Sequence, residues 1–273
     1  MNEIKLVIAD VDGTLLTSKK KLTSRALKAI RKLKERGIFF VITSGRPPKG
    51  LARLARELDL QVPIAAFNGG MFIDPRALPE IKVISQKVIP ESLVRGVFER
   101  VVTLGHDVWL YRNDQWLILK GMSAHVKKEQ QTVHFSPNRL KNYEGQWDHV
   151  VKLVAVSDDY DALARTEKQL QAEFKGRLSV NRSQPYYLDI SHPEANKGEV
   201  VKFFEKYFAV HKQQVATLGD MPNDVQMFKG SALSIAMGNA DAQVKHQASA
   251  VTDSNECEGF AKAIEKLILP KVA

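Results

Sequence analysis

The chain opens on a nearly unbroken apolar run, Ile4-Lys5-Leu6-Val7-Ile8-Ala9. Such a run is expected of a strand buried on both faces of a parallel sheet. Thr23 or Ser24 then caps a predicted helix whose apolar stripe is Ala26, Leu27, Ile30 and Leu33, with Gly37 to end it. Ile38–Ile42 is a second buried strand. Leu51, Leu54, Ala55 and Leu58 mark a second helix, and Pro63–Phe67 a third short strand closed by Asn68-Gly69-Gly70. Strand and helix alternate, as in an α/β domain with a parallel sheet.

The middle of the chain has another rhythm. Leu93, Val94, Val97, Phe98 and Val101 keep helical spacing up to Gly105. Two short strand patterns, 108–112 and 115–120, flank Asn113-Asp114 as in a hairpin. Residues 121–147 are polar and carry no clear period. A strand is expected at 150–156, a helix on Leu163, Leu170 and Phe174, and two more strands at 178–182 and 186–190. Hairpins mixed with helices point to an α+β insert. Alternation then resumes. A helix carries Val200, Val201, Phe204 and Tyr207, strands come at 214–218 and 234–236, and a helix spans 258–269. The expected organisation is an α/β, Rossmann-like parallel-sheet core, 1–85 and 188–273, interrupted by an α+β domain at 86–187.

Composition narrows the setting. Over 273 residues, 44% hydrophobic and 26% charged is ordinary for a globular chain. No apolar run reaches the ~18 residues of a membrane span. Asp10 and Asp12 interrupt the first apolar stretch, so it does not resemble a signal peptide. The lone Cys257 cannot form an internal disulfide, which suits a reducing cytoplasm. The net charge of +9 raises nucleic acid as a partner. The basic residues are dispersed, however, and the densest cluster is only Lys19-Lys20-Lys21. Neither nucleic acid nor a membrane is therefore expected as a partner.

In an open parallel sheet, ligands sit beyond the carboxyl ends of the strands. Asp10-Val11-Asp12-Gly13-Thr14 stands after the first strand, and Thr43-Ser44-Gly45-Arg46 after the second. Gly219-Asp220-Met221-Pro222-Asn223-Asp224 comes after the strand at 214–218, and Asn196-Lys197-Gly198 opens the next helix after the insert. These ends should bring at least four carboxylates, a hydroxyl, an amide and a lysine to one crevice. Crowded carboxylates need a cation. Oxygen donors without a histidine cluster favour Mg²⁺, which normally shares its shell with a phosphate oxygen. Ser44, Lys197 and the turn N–H groups then suit the rest of a phosphate, and the site reads as phosphoryl transfer.

These four motifs resemble those of the haloacid dehalogenase superfamily of aspartate-nucleophile phosphatases, specifically its Cof-type members with a C2B cap. Asn68-Gly69 and Ala236-Met237-Gly238-Asn239-Ala240 share that resemblance. The resemblance implies that Asp10 is the nucleophile and Asp12 the acid and base. Asp10, Asp220 and the Asp12 carbonyl would hold Mg²⁺. Ser44, Gly45, Lys197 and Asn223 would hold the phosphate. Asp224 would support Lys197 or the metal's water shell, and Arg46 would be an auxiliary residue at the substrate or the turn. The implied substrate is a small phosphorylated metabolite, such as a sugar phosphate, with the insert as cap. A phosphomutase on the same core is the first alternative; a receiver-like switch and a basic nucleic-acid binder are others. Trp109, Tyr111, Arg112, Trp116, Arg182, Tyr186 and Tyr187 either line a cap pocket or pack its core.

Overall fold

Strand β1 (Leu6–Asp10) is buried at every position in the computed structural model, which describes residues 3–269. Thr23 caps α1 (Ser24–Glu35) by accepting from the Ala26 N–H at 3.1 Å. The helix buries Ala26, Ala29, Ile30 and Leu33. Gly37, at φ +69°, turns the chain into β2 (Phe39–Thr43). Helix α2 (Pro48–Glu57) and the short strand β3 (Ile64–Ala66) come next.

The chain divides into two compact units: 3–45, 54–69 and 196–269 form one, and 46–53 with 70–195 form the other. The sequence put the junctions at 85/86 and 187/188. The latter falls inside a strand of the second unit's sheet, whose ladder carries the chain on to Ser191.

The second unit begins with an antiparallel pair that no periodicity in the sequence announces, β4 (Met71–Asp74) and β5 (Lys82–Gln86). It continues through α3 (Glu91–Thr103), the hairpin β6 (Asp107–Arg112) and β7 (Gln115–Ile118), α4 (Ala124–Val133) and β8 (Asn138–Arg139). Strand β9 (Val150–Val156), helix α5 (Tyr160–Glu173), β10 (Ser179–Gln184) and β11 (Tyr187–Ser191) complete it. The six-stranded sheet runs β10-β11-β9-β6-β7-β8, antiparallel except for the last pair. Val97, Val101, Leu110, Leu153, Leu163 and Leu188 belong to a core of the unit's own. Trp109, Tyr111, Trp116 and Tyr187 are buried with their rings against one another. Arg112 pairs with Asp148 and Arg182 with Glu167.

Back in the first unit, Asn196 caps α6 (Lys197–Phe208) by accepting from the Gly198 and Glu199 N–H groups. Tyr207 is 51% exposed and not on the buried stripe. Phe208, four residues after Phe204, continues the stripe instead and stacks on Phe39 at 4.1 Å. Strand β12 (Val215–Gly219), helix α7 (Val225–Lys229), β13 (Leu233–Ala236), α8 (Ala242–His246) and β14 (Ala250–Val251) succeed one another. The expected C-terminal helix is α9 (Gly259–Ala263), continued by a π turn at Ile264–Ile268. Strands β14-β13-β12-β1-β2-β3 pair in parallel in that order. β1 and β12 are thus neighbours in the middle of the sheet, with Leu6 opposite Val215. No helix among the described residues is long and apolar enough to cross a membrane.

Candidate active site

Because β2, β1 and β12 are parallel neighbours, their carboxyl ends lie side by side. The register sets Asp10 opposite Thr43, so Ser44 leaves β2 at the level where β1 ends. Ser44 is buried, and its N–H donates to Ala65 O at 3.0 Å. Its own carbonyl accepts from the Asn68 N–H at 2.8 Å. Asn223 Nδ2 donates to Asn68 Oδ1 at 3.4 Å, so Asn68 ties the loop at Ser44 to the loop after β12.

Lys197 is the first residue of α6, and it is 2% exposed. Its Nζ donates to Asp10 Oδ1 and to Asp224 Oδ1, each at 2.5 Å. Asp224 Oδ2 accepts from the Asp220 and Met221 N–H groups, both at 2.9 Å. Asp224 therefore has both oxygens committed within the protein. Asp220 Oδ1 accepts from Thr14 Oγ1 at 2.8 Å, and Oδ2 from Asn239 Nδ2 at 3.3 Å. Asn239 Nδ2 also donates to Gly13 O at 2.9 Å, joining the loop after β1 to the loop after β13.

Two glycines make these approaches possible. Gly13 sits at φ +88°, and a Cβ there would lie 2.3 Å from Asp220 Oδ2. At Gly219 a Cβ would lie 2.4 Å from the side chain of Asp224. Neither separation leaves room for a side chain.

Oxygens of Asp10, Asp220 and Asp224 all lie within 4.8 Å of one another. One ammonium stands against three carboxylates. Burial pushes Asp10 up to about 8; Lys197 opposes this, while Asp224 and Asp220 add to it. Burial likewise pushes Asp220 up to about 6, against the Thr14 hydrogen bond and with Asp224 adding to it. For Lys197, burial disfavours the charge, but Asp10 and Asp224 together overcome it and hold the amine protonated. A hard divalent cation fits this donor set: it supplies the missing positive charge and accepts oxygen ligands. Asp10, with one oxygen on Lys197, and Asp220, whose oxygens meet only the neutral Thr14 hydroxyl and Asn239 amide, are better placed to serve it than Asp224, which holds Lys197 and two backbone N–H groups.

The site thus brings Asp10, Lys197, Asp220 and Asp224 into one buried cluster and links Ser44 and Asn223 through Asn68, whose side chain lies beside Gly45. Asp12 lies at its edge, half-buried, with its carboxylate on Lys20. Arg46 belongs to the other compact unit, where it donates to Gly50 O at 3.4 Å. Sequence reasoning did not assign roles to Thr14 and Lys20. Thr14 stood inside the first motif, but its partner Asp220 is 206 residues away.

The family model of the haloacid dehalogenase-like hydrolases matches residues 7–264. A Haemophilus influenzae protein named "Putative phosphatase" is 28% identical over 264 residues, covering 96% of this chain and 97% of the relative. A 5-amino-6-(5-phospho-D-ribitylamino)uracil phosphatase of Bacillus subtilis is 27% identical, covering 96% of both chains. The crystal structure of a haloacid dehalogenase-like hydrolase from Bacteroides thetaiotaomicron is 28% identical, with a TM-score of 0.86 over 97% of this chain and 100% of its own. Motifs, parallel sheet and family match agree, and the chain belongs to the haloacid dehalogenase-like hydrolases.

Proposed function

We propose that the protein is a Mg²⁺-dependent phosphatase of small phosphorylated metabolites, sugar and polyol phosphates among them, acting through an aspartyl-phosphate on Asp10. The observation that carries this reading is the buried Lys197 ammonium shared between Asp10 and Asp224, beside Asp220. A carboxylate nucleophile needs a neutralising frame to meet a phosphate dianion, and this cluster supplies part of one.

In the first step an Asp10 oxygen attacks phosphorus, and the bond from phosphorus to the ester oxygen breaks. Asp12 gives its proton to the departing oxygen, so the product is a neutral alcohol. Water then attacks the phosphorus of the aspartyl-phosphate, and Asp12 takes a proton from that water. The acyl-phosphate P–O bond breaks, which restores the Asp10 carboxylate and frees inorganic phosphate. Lys197, the Ser44 hydroxyl, Gly45 and Asn223 hold the phosphoryl oxygens, and α6 presents its N-terminus to the same charge. Asp10 and Asp220, with the Asp12 carbonyl, would hold Mg²⁺, which supplies electrostatic stabilisation of the charge on the transferring group. The second compact unit acts as the cap that selects the organic part of the ester. The Bacillus subtilis relative, named for a phosphorylated ribityl compound, supports a polyol-like leaving group.

The test is phosphate release over a panel of metabolite monoesters, with rapid-quench mass spectrometry for phosphate on Asp10. The wild type should turn over several monoesters, and D10N should carry no phosphate. D12N should retain part of its first turnover on an aryl phosphate, whose leaving group needs no acid, and should accumulate phosphate on Asp10. Its hydrolysis step should fall by roughly 10²–10⁴-fold. Full turnover by D10N would rule out the covalent route.

A further inference from the structure

Lys20, the middle of the three lysines at 19–21, has an unusual setting. Its Nζ donates to Asp12 Oδ1 at 2.7 Å. The lysine side chain is 48% exposed and the aspartate 30%. An ion pair this open to water contributes little stability. Lys20 lies at φ 57°, a left-handed conformation that lysine rarely takes. The reversal that holds it there is closed by the Lys20 N–H on Thr17 O at 2.9 Å and the Thr17 N–H on Lys21 O at 3.1 Å. The Lys21 N–H adds a bond to Thr17 Oγ1 at 3.2 Å.

This reversal is itself fastened to the first unit. Asn255 Nδ2 donates to Leu16 O at 2.9 Å, and Glu256 Oε1 accepts from the Ser18 N–H at 2.5 Å. The Asn255 N–H in turn donates to Asn239 Oδ1 at 3.0 Å, and Asn239 reaches Gly13 and Asp220. The base of the lysine is therefore fixed by a chain of hydrogen bonds that ends in the site, and its tip rests on Asp12. The fixed turn sets the position from which the Lys20 ammonium meets the Asp12 carboxylate.

From this geometry we infer that Lys20 is a positioning residue of the reaction: it holds the Asp12 carboxyl group in the orientation from which a proton reaches the leaving oxygen. The inference rests on the Asp12 role proposed above. A proton donor is effective only within hydrogen-bond reach of its acceptor, and a contact that fixes the carboxyl orientation keeps it there. Lys20 touches neither substrate nor phosphorus in this role; it acts through Asp12.

The experiment compares wild type, the neutral variants K20M and K20Q, and the charge-preserving K20R. Two substrates are read in single turnover by rapid quench: p-nitrophenyl phosphate and an alkyl monoester that the wild type cleaves. Positioning predicts that K20M and K20Q slow release of the alkyl alcohol by about 10–100-fold, part of the range for a lost general acid. They should slow p-nitrophenol release by far less, and K20R should recover most of the alkyl rate. Thermal unfolding of all variants should match the wild type. Equal slowing of both substrates, no slowing of either, or failure of K20R to rescue overturns the positioning role. Reading two neutral variants keeps the test intact if one folds poorly. A wild type that forms no phosphate adduct on Asp10 with either ester would fail the phosphatase reading itself, before any variant is compared.

Discussion

Replacing Lys197 with Met removes the ammonium from the buried cluster while keeping most of its length and apolar bulk. The lysine makes two ion pairs at 2.5 Å. With an effective dielectric constant of 20, each pair is worth about 7 kcal/mol of Coulomb attraction. Desolvation of three buried charges offsets most of that sum. Removing one partner of such an arrangement leaves the others uncompensated and destabilises by about 3–5 kcal/mol. The loss should depend on pH. Burial already raises Asp10 to about 8, against the pull of Lys197. Without the lysine, Asp10 in the folded protein holds its proton more tightly still. The unfolded chain releases that proton near the ordinary aspartate value of 3.8. Between the unfolded and folded values the native state binds more protons than the unfolded state, so stability falls as pH rises. The wild-type protein shares this fall up to about 8, where its own Asp10 ionises, so the gap between K197M and wild type should be nearly constant from pH 5 to pH 8 and widen above pH 8. The measurement is urea unfolding of both proteins at several pH values, in EDTA so that no divalent cation substitutes for the lysine. A second arm adds D10N to K197M, which should recover part of the loss at pH 8. A penalty below about 1 kcal/mol, or one that does not grow above pH 8, would refute the electrostatic account of the cluster.

Three further outcomes can be checked. G13A forces a Cβ to 2.3 Å from Asp220 Oδ2 at φ +88°; it should cost about 1–3 kcal/mol in thermal or urea unfolding and displace Asp220, lowering turnover. EDTA should abolish turnover and Mg²⁺ restore it, while excess Ca²⁺, which accepts more oxygens, should inhibit by engaging both oxygens of Asp10; steady-state phosphate release that is indifferent to all three would contradict the metal reading. In the second unit, burial lowers His106, whose Nε2 meets Thr166 Oγ1 at 2.7 Å. The unfolded histidine takes up a proton first, so that unit should lose stability as pH falls from 6.5 toward the folded value. H106F should flatten this dependence in hydrogen-exchange measurements on that unit.

The sequence made the centre of the sheet legible for a physical reason. β1, β2 and β12 are shielded on both faces, so their apolar positions run without interruption and their polar ends stand out. Asp10, Ser44 and Asp220 stand at the carboxyl ends of these runs, where the change from apolar to polar marks them. Helix α4 escaped because only Val126 and Val133 are buried along it, too few for a helical period. β5 escaped because Lys82, Val83 and Ile84 are exposed and show no alternation against a buried face. The contacts of Thr14 and Lys20 were illegible for another reason. One depends on a partner from the far end of the chain, the other on a left-handed backbone that no lysine announces.

The order of the strands also has a consequence for biosynthesis. β1 carries the proposed nucleophile and is made before the other strands of its sheet, but only its neighbour β2 is made soon after it. The other flank is β12, made after the whole of the second unit. Lys197, Asp220 and Asp224 arrive just as late. The second unit has its own hydrophobic centre and can settle while β1 still exposes an unpaired edge. A nascent chain therefore holds Asp10 without Lys197, Asp220 and Asp224 until the segment after the second unit has been made. The proposed site is complete only when α6 and β12 close onto β1.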